Sequence, residues 1–175
     1  MDLYLSRGYE NTTTADIAES VGLTERTFFR HFADKREVIF AGNEVLEQAF
    51  VDGVAAAPPD ASPLDLIASA LAAAPVFFTD ERRAHSVRRQ LIISANPALL
   101  ERELLKMRTL AAAVAEALRA RGVTASTAAL AAESGVTVFG VAFSQWIAEG
   151  QQRSFGDLQQ DVLTEFVAMA ATGRR

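Results

Sequence analysis

Residues 12–32 constrain the fold more than any other stretch of this chain. Thr13 followed three positions later by Asp16 is a helix-capping pattern: a hydroxyl accepts from a backbone N–H, and an acid reaches back to the cap residue. It opens a short helix with Ile17, Ala18 and Val21 on one face. Gly22 stops that helix, because a left-handed turn residue is cheapest as glycine. Thr24 caps the next helix, in which Phe28 and Phe32 point inward. Small Ala18 lets the two helices approach, and Phe28 fills the angle between them. Two helices joined by a tight glycine turn make a helix-turn-helix. That geometry offers the first residues of its second helix to base edges in a DNA major groove. An ordinary helical hairpin can share the glycine turn. The Ala, Gly and apolar offsets, with hydroxyl caps on both helices, favour the DNA-binding form.

The rest of the chain reads as helix. The 175 residues include 33 Ala, the best helix former, against 10 Gly and 5 Pro, and no alternating run marks a strand. Lys35 to about Val54 reads as one helix. Pro58, Pro59 and Pro63 break the chain between it and the next. Longer helices are expected from Pro63 to about Phe78, Asp80 to Ser94, Asn96-Pro97 to Arg121, Ser126 to Glu149 and Phe155 to Ala171, with Gly122 and Gly150 as stops. The expected fold is all-α, with a helix-turn-helix DNA-binding domain over residues 1–46 and a second helical domain over residues 47–175, to which the resemblance described below assigns effector binding and dimerisation.

Several function classes fall away. With no Cys there is no disulfide framework, thiolate metal site or cysteine nucleophile, and two His, His31 and His85, leave little for a metal or triad site. No Gly-rich phosphate loop, G-x-S-x-G elbow or paired-His motif is present, so neither an enzyme nor a cofactor site is expected. No apolar run reaches the roughly 18 residues of a membrane span, and the first residues lack a leader pattern. A cytoplasmic location is the expectation. The basic run Arg82-Arg83-Ala84-His85-Ser86-Val87-Arg88-Arg89 reads as a solvated helix face offsetting nearby acids; an anion site is the sharper alternative.

Leu3-Tyr4-x-x-x-Gly8-Tyr9-x-x-Thr12-Thr13-x-x-Asp16-Ile17-Ala18-x-x-x-Gly22-Leu23-Thr24-x-x-Thr27-x-Phe29-x-His31-Phe32-x-x-Lys35 resembles the DNA-binding domain of TetR-type transcriptional regulators. The resemblance implies a homodimer, a palindromic double-stranded operator and a small-molecule effector held in the C-terminal helices, with repression as the output. It implies that Thr13 and Thr14 meet the phosphate backbone, that Thr24, Arg26, Thr27 and Arg30 face the groove, and that Lys35 reaches a phosphate. An Arg can bond bidentately to guanine, and a Lys serves as a point charge for phosphate. Phe29 stands where the family usually has a phosphate-contacting Tyr. Glu25 stands where many members carry Lys, and would repel phosphate; Ala15 replaces a residue that is often basic.

The resemblance also implies that the chain starts inside the family's first helix, short of an Arg- and Lys-rich arm. What is left of that helix is expected to pack loosely against Val21 and Phe32. Residues 1–48 hold five basic side chains against nine acidic ones, a net of −4 on a chain of net −5. That balance supports a second reading from another class: a helical ligand-binding or protein-interaction module that has lost DNA binding.

In the C-terminal half, Phe77, Phe78, Met107, Phe139, Phe143 and Trp146 supply bulk. Phe78, Met107, Phe143 and Trp146 are the residues expected to line an effector pocket, since such pockets are mostly apolar. The helix around Ala128, Ala132, Gly135, Val136, Phe139, Gly140 and Phe143 is apolar over much of its circumference, and Leu158, Val162, Phe166 and Ala170 form a stripe on the last helix. Together they suggest a helix-pair dimer interface.

Overall fold

The computed structural model describes residues 1–172. Among them there are only helices: α1 (Asp2–Arg7), α2 (Thr14–Ser20), α3 (Glu25–His31), α4 (Lys35–Phe40), α5 (Asn43–Ala56), α6 (Pro63–Leu71), a 3-10 turn (Pro75–Phe77), α7 (Asp80–Ser94), α8 (Pro97–Ala120), α9 (Ala125–Trp146) and α10 (Phe155–Thr172). The fold is all-α, a helix-turn-helix at the N-terminal end followed by longer helices.

Local chemistry sets the boundaries. Thr13 and Asp16 close a reciprocal capping box at α2, and Ser62 and Asp65 do the same at α6, where Pro63 is the first helical residue. Thr24 caps α3 by accepting from the Thr27 amide, and Thr124 caps α9 in the same way. The single helix expected from Lys35 to Val54 is two: α4 ends at Phe40, Gly42 takes φ +92°, and α5 begins at Asn43. The helix expected to reach Phe78 ends at Leu71, and the chain tightens into the 3-10 turn at Pro75.

The chain divides into two compact units. The first joins Met1–Asn43 to His85–Leu105; the second joins Glu44–Ala84 to the chain from Lys106 onward. Helices α7 and α8 each contribute to both.

In the first unit the core is Tyr4, Tyr9, Ile39, Phe40, Ile92, Ile93 and Leu99, with Met1 and Ile17 packed against it. Helix α1 is anchored by buried Tyr4 and not by Val21, which is 66% exposed. Ala18 is buried beneath the turn, as a close approach of α2 and α3 requires, and Phe28 is buried between them. Phe32 is half-buried against the Phe28 ring, 5.4 Å away.

The basic run on α7 offsets nearby acids and keeps Arg82 and Arg88 exposed, while Arg83 and Arg89 also bond to the backbone. Arg89 donates to the Ile39 carbonyl at 3.0 Å and to Glu103 at 2.9 Å, and its guanidinium lies over the Phe40 ring. Arg88 pairs with Asp2, and Arg102 of α8 pairs with Glu37 at 2.6 Å. In the second unit Arg83 donates to the Gln151 and Arg153 carbonyls and pairs with Asp80. Each of these guanidinium groups already has acceptors, which is why the run is no open anion site.

The second unit buries a large core from α5, α6, α8, α9 and α10, including Phe50, Val54, Leu66, Leu71, Leu110, Leu118, Phe139, Trp146, Phe155 and Leu158. Among the described residues α9 is the one helix long and apolar enough by itself to cross a membrane; its Ala128, Ala132, Gly135, Val138, Phe139 and Ala142 are buried in the core of the second unit.

Candidate nucleic-acid interface

Helices α2 and α3 with the turn at Gly22 build the candidate interface. Gly22 has φ +68°, and the Leu23 amide donates to the Ala18 carbonyl at 2.9 Å. This closes α2 and aims α3 away from it.

At the start of α2, Thr13 is occupied by its own cap. Its hydroxyl donates to Asp16 at 2.6 Å and accepts from the Asp16 amide at 3.1 Å. The Thr13 hydroxyl and amide hold the Asp16 carboxyl below its usual range, with Arg7 adding a pair at 3.2 Å. Thr14 donates its hydroxyl to Glu25, which ties the first residue of α2 to the first residue of α3.

Helix α3 and its Thr24 cap carry the groove-facing set. Thr24 and Thr27 are exposed and half-buried, their hydroxyls 3.0 Å apart. Arg26 is exposed and bonds to no side chain or carbonyl among the described residues. Arg30 is exposed and makes only a long 3.5 Å contact with the adjacent His31. Phe29 is 53% exposed, its ring edge-on to buried Phe28 at 5.4 Å.

Lys35, the first residue of α4, is bonded inward. Its ammonium donates to the carbonyls of Tyr9 (2.8 Å), Thr12 (3.1 Å) and Glu10 (3.3 Å) and sits over the Tyr9 ring. Its own carbonyl accepts from the Tyr4 hydroxyl at 2.8 Å. Burial raises the Tyr4 hydroxyl's pKa, which keeps it a donor. Thus the eight residues expected at the DNA all lie on α2, α3, their N-caps or the start of α4, but only Arg26 and Arg30 offer uncommitted cations.

The charge of this unit differs from that of the N-terminal segment alone. With residues 85–105 included, the first unit holds eight basic side chains against nine acidic ones, a net of −1. The expected N-terminal domain, residues 1–46, leaves residues 85–105 out. The i, i+1 pair Arg88-Arg89 with Arg102 was the available signal.

The residues expected at an effector pocket lie in the second unit. The Phe78 ring meets Phe155 at 4.8 Å, Phe143 at 5.5 Å and Trp146 at 5.8 Å, and Met107 packs, partly buried, against the large core of the same unit. Phe50 and Phe155 join the ring cluster, and neither is among the residues expected at the pocket. Among the described residues two buried side-chain atoms of the second unit have no hydrogen-bond partner, Trp146 Nε1 and Gln159 Oε1. Such atoms are rare in folded proteins and call for an explanation.

Residues 1–41 match the model of a family described as bacterial regulatory proteins, tetR family. Over 73 residues the chain is 40% identical to the HTH-type transcriptional regulator TcmR of Streptomyces glaucescens, a match covering 42% of this chain and 32% of that protein. The match thus spans about a third of the length of the curated relative. Two solved structures also resemble the chain. One is a transcriptional regulator of the TetR/AcrR family from Thermobifida fusca, with 15% identity and a TM-score of 0.48 over 93% of this chain and 89% of that one. The other is a bacterial regulatory protein in the tetR family from Rhodococcus, with 18% identity and a TM-score of 0.46 over 97% and 89%.

Proposed function

Residues 1–41 belong to the tetR family of bacterial regulatory proteins, and from that premise we propose that the chain is a ligand-responsive transcriptional repressor that binds a palindromic operator as a homodimer. DNA binding is assigned to residues 1–46, and effector binding and dimerisation to residues 47–175. The observation that carries the reading is helix α3. It is capped by Thr24, stands on a Gly22 turn, and projects the uncommitted Arg26 and Arg30. A recognition helix inserts these positions into a major groove, where an Arg bonds bidentately to guanine.

The other groove and backbone positions follow. Thr24 and Thr27 face the bases, and Phe29 offers a ring suited to a thymine methyl group. Thr13, Thr14 and Lys35 lie toward the phosphates with their donors already bonded, so affinity falls mainly to the two Arg residues. In the second unit, Phe78, Met107, Phe143 and Trp146 are the proposed effector contacts. Binding there releases DNA only if the effector prefers a conformation whose recognition helices are wrongly spaced.

Selection from a library of random duplexes tests the reading. An enriched two-fold-symmetric sequence is expected, with half-sites about 34–36 Å apart. Arg26→Ala or Arg30→Ala should cost about 1–3 kcal/mol on that sequence and far less on random DNA. If no duplex is enriched, the chain is better read as a helical ligand-binding module.

A further inference from the structure

The proposed operator contacts leave an exposed carboxylate on the recognition helix without a role. Glu25 is the first residue of α3, immediately before Arg26, so it occupies the turn that enters the groove. One of its oxygens accepts from the Thr14 hydroxyl, which fixes the side chain across the gap between α2 and α3. The residue is exposed, and Thr14 is the one partner its carboxylate has among the described residues.

A carboxylate at this position meets one of two surroundings in a duplex. Beside a phosphate it is repelled. Over the base edges it needs a donor. The major groove offers two amino donors, cytosine N4 and adenine N6. Adenine places its N7 acceptor next to N6, where it faces a carboxylate unfavourably. Cytosine presents its N4 donor with no acceptor of its own in that groove. A carboxylate therefore selects cytosine, as Arg selects guanine.

Resting on the DNA-binding reading above, we propose that Glu25 reads a cytosine in each operator half-site. Thr14 holds the carboxylate in place, and Arg26 reads a guanine nearby. The acid that looks like a liability in a DNA-binding segment is then a specificity-determining residue.

The test uses the duplex that the full chain enriches from the random library, with each half-site base pair replaced in turn. Affinities are measured by fluorescence anisotropy for the wild type, Glu25→Ala and Glu25→Gln, with melting by circular dichroism as the folding control. The wild type should show one C·G position whose replacement weakens binding about 5- to 150-fold. Glu25→Ala should bind all four base pairs at that position nearly alike. Glu25→Gln should move the preference there to A·T, because a Gln amide bonds bidentately to adenine N6 and N7. A loss or gain spread evenly over every duplex, with the wild-type preference kept, overturns the inference: an even loss marks a structural role, an even gain a repelled charge. If the wild type enriches no duplex, the DNA-binding reading fails and takes this inference with it.

Discussion

The ammonium of Lys35 donates to the carbonyl of Tyr9 at 2.8 Å while lying 4.3 Å from the centre of the Tyr9 ring. With the carbonyls of Glu10 and Thr12 also accepting, one side chain gathers the loop that leads into the Thr13 cap. Lys35→Met keeps the apolar stem and deletes the donor. Hydrogen bonds from charged donors contribute about 1.5–3 kcal/mol each, but these share one partly exposed ammonium, so a total loss of about 2 kcal/mol in urea unfolding is expected. Operator affinity should fall on every duplex through the loosened loop, with the salt dependence unchanged. A slope lowered by about 0.9 would instead place Lys35 on a phosphate.

Much of the helix-turn-helix is legible in the sequence because its determinants are local. Thr13, Asp16, Gly22 and Thr24 act within four residues of themselves, and each does in the structure what its spacing suggests. What is not legible is long-range. The pairing of Arg102 with Glu37 spans 65 residues, and that of Arg88 with Asp2 spans 86. No periodicity announces either one. The break at Gly42 was missed for another reason: apolar spacing continues through it from Phe40 to Phe50, so the pattern alone reads as one helix. In the second unit, Phe78, Phe143 and Trp146 were recognisable as bulk. Phe155 was read as the start of a helix, and its contact with Phe78 depends on how α10 returns to the 3-10 turn.

Gly53 marks the closest approach of α5 and α6. A Cβ built there would lie 2.7 Å from the Ser69 carbonyl oxygen and 2.8 Å from the Ala70 Cα, both backbone atoms that cannot step aside. Gly53→Ala should force the helices apart and destabilise the chain by about 1–3 kcal/mol. At Gly140 on α9 a Cβ would meet nothing within 4 Å, so Gly140→Ala should be neutral or gain up to about 1 kcal/mol from helix propensity. Thermal melting of the two variants side by side checks the contrast, and equal effects would refute the close-approach argument.

Acid should strike the helix-turn-helix through its caps. The Thr13 hydroxyl bond holds the Asp16 carboxyl below its ordinary value of 3.8, and the Arg36 bond does the same for Asp34, which caps α4. A carboxyl whose folded value is depressed binds its proton more readily when unfolded. Its stabilisation is therefore present above the ordinary value and lost as pH falls below it. Melting temperature should decline as pH drops below about 4, the ordinary carboxylate range. Asp16→Asn and Asp34→Asn should each be less stable at neutral pH and show a shallower acid decline. A variant that melts in parallel with the wild type over the whole range would show that its cap carries no linkage.

The dimer predicted from apolar stripes needs a different set of variants from the ones the sequence suggests. Phe143 and Phe166 pack against the core of the second unit, so a charge at either position attacks the fold before it attacks an interface. The outward stripe of α9 runs through Leu130, Ser134, Thr137 and Val141, spaced by four, three and four residues; Leu130 is 70% and Val141 43% exposed. Small and apolar side chains in one row suit close packing against a second copy of the helix. Light scattering at micromolar concentration should give twice 18.8 kDa for the wild type. Leu130→Glu with Val141→Glu should give a monomer that keeps its helical circular dichroism, whereas Phe143→Glu should lose helical signal. A Leu130→Glu, Val141→Glu chain that still scatters as a dimer would move the interface off this face of α9.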